Sequence, residues 1–324
     1  MRIEYVAPLS KALERMKQAL FHPFDIGKWF TVGFTVFLAT LLQTGAGGGR
    51  FFLPPNPAKR LRQPDVWSFP QGALDWLSAH PFWAAAIAAG VFLLLVVVLV
   101  LTWLGSRGTF MFLDNVAQDR ARVLEPWRRY RAAGNSLFLW RVGFGAVAAL
   151  LLLPVAASAL FLIARCARGG AAPAALLGIA ALGLLALAMA VVTGYGSLLT
   201  NSFVVPLMYR HGLGVLGAWR RFLPILRSHF PHFILFGLFL LLLCIGIGIA
   251  VFLGGCLTCC IGFILLAIPY IGVTVLLPVH WTLRAFSLEY LAQWGADYSV
   301  FPPAEAPEAP GAAAPAEGPA TPGL

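Results

Sequence analysis

The feature that most constrains this chain is an unbroken apolar run, VFLLLVVVLVLTWL, at residues 91–104. With the residues before it, the apolar segment extends over 82–104 and contains no charged side chain. At a rise of 1.5 Å per residue, about 20 such residues cross the ~30 Å hydrocarbon core of a bilayer. We therefore predict a membrane-spanning helix at this position.

Five further segments are similarly apolar, so we predict an all-α integral membrane protein with six transmembrane helices. The predicted spans are about 28–46, 82–104, 137–164, 174–199, 233–253 and 261–283. They form a membrane domain at 28–301, between an amphipathic segment at 1–27 and a Pro- and Ala-rich tail at 302–324 that we expect to be disordered. Only 11% of the 324 residues are charged, whereas a soluble domain carries about a quarter. Because no soluble basic fold remains, we predict no nucleic-acid partner.

The Lys and Arg residues are divided unequally between the two sides of this layout. If the N-terminus lies inside, 17 of the 23 Lys and Arg residues fall in inner segments and six in outer ones. Short cytoplasmic loops carry an excess of positive residues. We therefore expect a multi-pass protein of the bacterial inner membrane with both termini in the cytoplasm.

Two inner connections share a short pattern. Residues 127–130 read Trp-Arg-Arg-Tyr, residues 219–222 read Trp-Arg-Arg-Phe, and a Phe follows eleven residues after each Trp. Both connections, like the N-terminal segment, place apolar side chains on one helical face and basic ones on the other. The chain is thus predicted to repeat a unit three times: a basic amphipathic helix followed by a hairpin of two spans. The candidate lipid-contacting residues are Trp127, Arg128, Arg129, Trp219, Arg220 and Arg221.

We expect these amphipathic helices to lie in the inner membrane interface. Their aromatic side chains would then sit at headgroup depth, and their cations would lie near anionic lipid. Alternatively, they are cytoplasmic extensions of the spans that pack on each other. Membrane lipids with anionic headgroups are the predicted partners.

Ionisable residues are scarce in the spans, which argues against a proton-coupled pump. Arg141 lies at an inner end, where its side chain can extend toward the headgroups, and His280 and Arg284 lie at the inner end of the sixth span. We expect Asp25 and Asp114 to form structural ion pairs with nearby arginines such as Arg107 or Arg141. Alternatively, these residues form a cluster that recognises a headgroup or an ion. No cofactor, metal site or catalytic residue is predicted.

Several apolar motifs carry a resemblance to a known class of protein. They are HPFDIGKWFTVGF at 22–34, GTFMFLDN at 108–115, NSLFLW at 135–140, FVVPLMYR at 203–210 and CLTCCIGFILLAIPYIG at 256–272. Through them the chain resembles uncharacterised multi-pass bacterial membrane proteins similar to the membrane domain of the glycerophosphoryl diester phosphodiesterase type. The resemblance covers nearly all of residues 10–300 and implies an architecture, not a reaction. It does not extend to the soluble phosphodiesterase barrel, whose activity we do not carry over.

A thiol cluster lies between the predicted fifth and sixth spans. It contains Cys256, Cys259 and Cys260, and Cys166 falls on the same, outer side. These thiols are interpreted as small apolar packing groups, as one or two disulfides, or as a metal or redox site. Nearby, Gly246 and two further small residues recur every four positions and predict close helix packing, within the chain or between copies. These two are Ala250 and Gly254.

Three functions remain open at this point. The preferred one is a non-enzymatic scaffold or accessory protein that interacts with lipid and with other membrane proteins. The alternatives are a transporter or channel for a neutral or lipidic solute, and a thiol-dependent redox protein. A transporter predicts a polar cavity around Thr193, Tyr195, Ser197 and Asn201, whereas a scaffold predicts tight packing there.

Overall fold

The computed structural model describes residues 3–41, 76–169, 173–258 and 261–301, and within these ranges the chain is helical and contains no β-strand. The helices are α1 (Val6–Phe21), α2 (Ile26–Thr40), α3 (Pro81–Ala117), α4 (Leu124–Arg129), α5 (Arg131–Gly169), α6 (Pro173–Leu199), α7 (Val205–His211), α8 (Val215–Ser228), α9 (Phe230–Leu257), α10 (Ile261–Ala267), α11 (Pro269–Val275) and α12 (Leu277–Ala292). A π-helical segment, Thr200–Val204, joins α6 to α7, and a short 3-10 turn, Ala296–Tyr298, follows α12.

Several of these helices are long and apolar enough to cross a membrane. In the described ranges they are Pro81–Ala117, Arg131–Ile163, Pro173–His211 and Phe230–Leu257. The pair formed by α11 and α12 adds a fifth span if the two bent helices are counted as one. The described part of the chain is therefore all-α, with helices compatible with a multi-pass membrane protein.

Two of the six predicted spans differ from the structure. The first, at 28–46, falls on α2, which has only 15 residues and a length of about 22 Å, and residues 42–46 lie outside the described ranges. The sixth, at 261–283, is divided among α10, α11 and the start of α12. Within the described residues, neither position holds one continuous apolar helix of the predicted length, and the count of six spans stays a prediction.

Two prolines explain the division of the sixth span. A proline lacks a backbone N–H and disfavours the α conformation in the residue before it. Ile268, before Pro269, is accordingly extended, with φ −80° and ψ 113°. Pro278 falls in the first turn of α12, where the missing N–H costs little, and α11 and α12 meet at 62°.

The helices pack tightly at one end of the molecule, which we call the base. The base consists of residues 105–117 of α3, residues 200–208, α1, α2, α8, α12 and the first two turns of α9, where the buried residues concentrate. Within it α1 packs on α12, α2 packs on both α3 and α11, and the π segment contacts α12.

Outside the base, the long helices extend with their apolar side chains exposed. We call these parts the apolar arms: residues 82–104, 142–163, 173–198 and 237–257. In the most apolar stretch of α3 no residue is buried, and in that of α9 only 6% are. The arms of α5 and α6 pack along each other, but both keep apolar side chains exposed.

The amphipathic helices turn their apolar faces into the base. In α8, Val215, Ala218, Phe222 and Leu226 are buried, and the basic side chains face outward. In α1 the buried residues likewise face α12. The apolar faces thus contact protein, as the alternative interpretation of packed extensions expects. The amphipathic helix predicted before the third span corresponds to α4, which has only six residues.

Candidate functional site

A buried carboxylate organises the polar interior of the base. Asp114 on α3 is fully buried and accepts hydrogen bonds from Arg120, with Nη2 at 2.8 Å and Nε at 3.1 Å. The hydroxyls of Tyr209 and Tyr130 donate to its other oxygen at 2.9 and 3.3 Å. Burial lowers the pKa of Arg120, but the hydrogen bond to Asp114 and the charges of Asp114 and Glu125 together outweigh it, so that the pKa is raised. The partner of Asp114 is therefore Arg120, and the prediction of Arg107 or Arg141 was wrong.

Arg141 on α5 lies where the base meets the apolar arms. Its Nη1 donates to the hydroxyl of Ser106 at 3.3 Å, and its Nη2 donates to the hydroxyl of Thr109 at 3.3 Å. The same Nη2 donates to Oδ1 of Asn201 at 2.8 Å. All three acceptors are neutral, so these hydrogen bonds hold the guanidinium in place without balancing its charge.

Arg284 on α12 approaches Asn201 from the other side. Its Nη1 donates to the backbone carbonyl oxygen of Asn201 at 2.6 Å, whereas its Nε and Nη2 are buried and have no hydrogen-bond partner. Arg141 is close enough to Arg284 for the two charges to repel. Among the described residues, no carboxylate forms an ion pair with either arginine.

The π-helical segment explains why the carbonyl of Asn201 is free for Arg284. In this segment the N–H of Val205 bonds to the oxygen of Thr200, five residues earlier. The next residue, Pro206, has no N–H to offer Asn201. Single π-helical turns are frequent at functional sites. Here the turn gives Asn201 a backbone acceptor and a side-chain acceptor for two different arginines.

Two cavities flank this arrangement, and Asn201 lines both. The first, of about 210 Å³, is lined by residues of α2, α3, the π segment, α9 and α12. Its polar and ionisable lining residues are Thr40, Thr109, Asn201, Ser202, Cys244, His280, Arg284 and Ser287. The second, of about 190 Å³, is lined by Arg141, Ser197 and Thr200 together with aromatic residues of α5.

The cavity predicted for a transporter is present only in part. Ser197 and Asn201 line the second cavity, whereas Thr193 does not and donates to the carbonyl of Met189 in its own helix at 2.9 Å. Tyr195 lines neither cavity, and its hydroxyl is buried without a partner. The tight packing predicted for a scaffold is not observed at Asn201 either.

Residues 4–296 match a family described as a family of unknown function, DUF7544. The chain belongs to the DUF7544 family. The match covers both arginines, Asn201 and nearly all of the described helices. No curated protein and no solved structure matches the chain.

In this DUF7544 protein the first Trp-Arg-Arg motif combines a half-buried tryptophan with two exposed arginines. Trp127 is half-buried and packs edge-on against Trp103, with a ring-centroid distance of 5.7 Å. The guanidinium of Arg107 lies 4.8 Å from the Trp127 ring and 4.3 Å from the Trp103 ring. Arg128 and Arg129 are exposed. The arginines are therefore accessible, whereas the tryptophan contacts protein.

The second motif of this DUF7544 chain shows the same division. Trp219 packs against Trp140 and Phe222, with ring centroids 5.9 Å away in both cases, and its indole N–H is buried without a partner. Arg220 and Arg221 are exposed, and Arg221 forms a 3.4 Å ion pair with an exposed aspartate of the 3-10 turn.

The structure describes only two of the four thiols in the predicted cluster. Cys166 and Cys256 are free, and Cys256 is exposed, whereas Cys259 and Cys260 lie outside the described residues. In the described part of the chain, no three His, Cys, Asp or Glu side chains are grouped to hold a metal. Because the redox alternative depends mainly on the undescribed pair, it stays a prediction.

The small residues of α9 do not pack against the described part of the chain. Gly246, Ala250 and Gly254 are exposed, and a Cβ added at Gly246 or Gly254 would meet no atom within 4 Å. Among the described residues, close packing within the chain is therefore a wrong prediction for these glycines. Contact between copies stays a prediction.

Proposed function

We propose that this DUF7544 protein is a non-enzymatic, multi-pass protein of the bacterial inner membrane that acts as a lipid-interacting scaffold or accessory protein. The observation that supports it best is the exposure of the apolar arms. On α9, for example, Leu242 is 60% exposed although it lies in the middle of an apolar helix. Such side chains are stable in a membrane when lipid tails or partner helices cover them.

The outward-facing arginines of the base agree with this proposal. Arg220 is exposed on the base, and Arg128 and Arg129 are exposed on α4, which contacts α3. The cytoplasmic leaflet carries anionic lipid that attracts basic side chains near the membrane. We therefore infer that the base faces the cytoplasm and that both termini lie there.

A photo-crosslinking experiment tests the proposal. A photoreactive benzoylphenylalanine is placed at Leu242 on an arm or, as the matched control, at Leu207, which is fully buried in the base. The protein is reconstituted in vesicles of phosphatidylcholine and phosphatidylglycerol, irradiated and analysed by mass spectrometry. We expect lipid adducts from position 242 and none from position 207. Adducts from position 242 that link only to the protein's own chain would contradict open arms.

A transporter of a lipidic solute is the second candidate, favoured by the two cavities that share Asn201. A path through both cavities would have to pass this side chain. We would measure the transfer of fluorescent phosphatidylcholine between leaflets of proteoliposomes by dithionite quenching. This candidate predicts quenching of more than half of the probe, and a slower transfer with Asn201→Leu. A rate equal to that of protein-free liposomes would reject it.

A further inference from the structure

Arg141 and Arg284 both donate hydrogen bonds to Asn201, and among the described residues no carboxylate forms an ion pair with either of them. A guanidinium stays protonated in proteins, so Arg141 and Arg284 cannot avoid their mutual repulsion by losing a proton. Burying an unpaired charge is costly unless an opposite charge compensates it. Their hydrogen-bond partners are hydroxyl, amide and carbonyl oxygens, which leave the net charge unchanged.

The unused nitrogen atoms of Arg284 have the geometry of an anion-binding fork. Nε and Nη2 lie on the same edge of the guanidinium and carry two parallel N–H bonds, which fit two oxygens of one phosphate or carboxylate. Both atoms are buried and unpartnered, whereas Nη1 on the other side is engaged by Asn201. The edge left free is therefore the edge that binds oxyanions in a bidentate manner.

The cavity beside Arg284 has a lining that suits an anion. Ser202 and Ser287 bring hydroxyl groups to it, His280 brings an imidazole, and no carboxylate is among its described lining residues. Apolar residues such as Leu240 of α9 complete the lining. A volume of about 210 Å³ is several times the roughly 30 Å³ that one water occupies in the liquid.

We propose that Arg284, supported by Arg141 and Asn201, binds a phosphate group in this cavity. The phosphate belongs either to an anionic lipid headgroup or to free inorganic phosphate, since the fork recognises the same oxygens in both. Binding of a lipid headgroup rests on the proposed function, because it requires the arms to lie in the membrane. The cavity, where the arms meet the base, would then lie at the depth of the headgroup phosphates. Binding of free phosphate is independent of that function.

The test uses the full-length chain in nanodiscs of phosphatidylcholine. One series adds sodium phosphate, with sodium chloride of equal ionic strength as its reference. A second series replaces part of the phosphatidylcholine by phosphatidylglycerol. Thermal unfolding and native mass spectrometry report binding. We expect a higher melting temperature in at least one series, and a bound phosphate or phosphatidylglycerol in the spectrum.

Three variants separate the proposed site from the charged surface. Arg284→Gln is expected to weaken binding at least tenfold, and Arg284→Lys is expected to weaken it less, because lysine keeps the charge but loses the fork. Arg210→Gln is the matched control, since Arg210 is exposed at the end of α7 and its replacement is expected to leave binding unchanged. Equal binding by wild type and Arg284→Gln would overturn the proposal.

The two series also identify the source of the phosphate. A response to phosphatidylglycerol alone supports a lipid headgroup, and a response to inorganic phosphate supports the free anion. No response of the wild-type protein in either series overturns the proposal, even if the Gln variant fails to fold. The photo-crosslinking experiment separates the two proposals. If position 242 gives no lipid adducts but the protein still binds phosphate, the proposed function is contradicted and the phosphate site is supported.

Discussion

The base and the apolar arms belong to the same helices but are stabilised in different ways. On α3, residues 105–117 are all buried, whereas the side chains of residues 91–95 are each more than half exposed. In the base, packing and buried polar contacts hold neighbouring helices in a defined arrangement. In the arms, each helix satisfies its own backbone hydrogen bonds and needs lipid or a partner for its side chains. Mutations in the two regions should therefore differ in their effect on stability.

An aromatic cluster makes this contrast clear. The ring of Phe203, in the π segment, lies 5.4 Å from Phe222 on α8 and 5.2 and 4.9 Å from Phe233 and Phe236 on α9. Tyr290 on α12 lies 5.9 Å away. Aromatic pairs at these distances add stability beyond that from their buried area. The cluster joins four elements, of which α12 is far from the other three in sequence, and no comparable cluster occurs in the described parts of the arms.

The largest expected difference comes from one substitution made in both regions. Leu207 is fully buried in the base and Leu242 is 60% exposed on an arm. Leu207→Ala should lower the free energy of unfolding by about 2–5 kcal/mol, because it removes buried contacts and leaves a cavity. Leu242→Ala should change it by less than about 0.5 kcal/mol. Reversible unfolding in detergent micelles measures both, and equal losses would contradict the division into base and arms.

A smaller difference is expected between two aspartates that form ion pairs. Asp114→Asn should lower the free energy of unfolding by about 2–3 kcal/mol, because the partly buried Arg120 then keeps only its longer ion pair with the exposed Glu125 at 3.4 Å. Asp119→Asn, the control, removes an exposed partner of Lys28 and should cost less than about 1 kcal/mol. The same unfolding measurement applies. A cost for Asp114→Asn as small as that of the control would mean that Asp114 does not organise the base.

The sequence was sufficient to predict the arms and insufficient to predict the base. The run at 91–104 predicts a long apolar helix because length and hydropathy are local properties, and α3 confirms it. Hydropathy could not distinguish α2 from a full span, since its apolar residues pack in the base. The signal for the break in the sixth span was present in Pro269 and Pro278, which are positioned to divide a helix.

The arginine site was missed because it depends on contacts between distant parts of the chain. Asn201 is 60 residues from Arg141 and 83 residues from Arg284 in sequence. Taken alone, each arginine is predicted only to lie at the inner end of a span. A usable signal was the presence of two cationic residues near apolar spans without a carboxylate at helical spacing. Their convergence, however, requires the π segment and the packing of α12.

The smallest expected effect comes from adding one methyl group at two glycines of α3. A Cβ at Gly108 would lie 2.6 Å from the Cβ of Leu38 and 2.7 Å from the backbone nitrogen of Ala39, so α2 would have to move away. A Cβ at Gly90, on the arm, would meet nothing within 4 Å. Gly108→Ala should therefore lower the free energy of unfolding by about 1–2 kcal/mol. Gly90→Ala should leave it unchanged or raise it slightly, because alanine favours the helix. If unfolding in micelles gives both variants the same sign, the close contact of α2 with α3 does not contribute to the stability of the base.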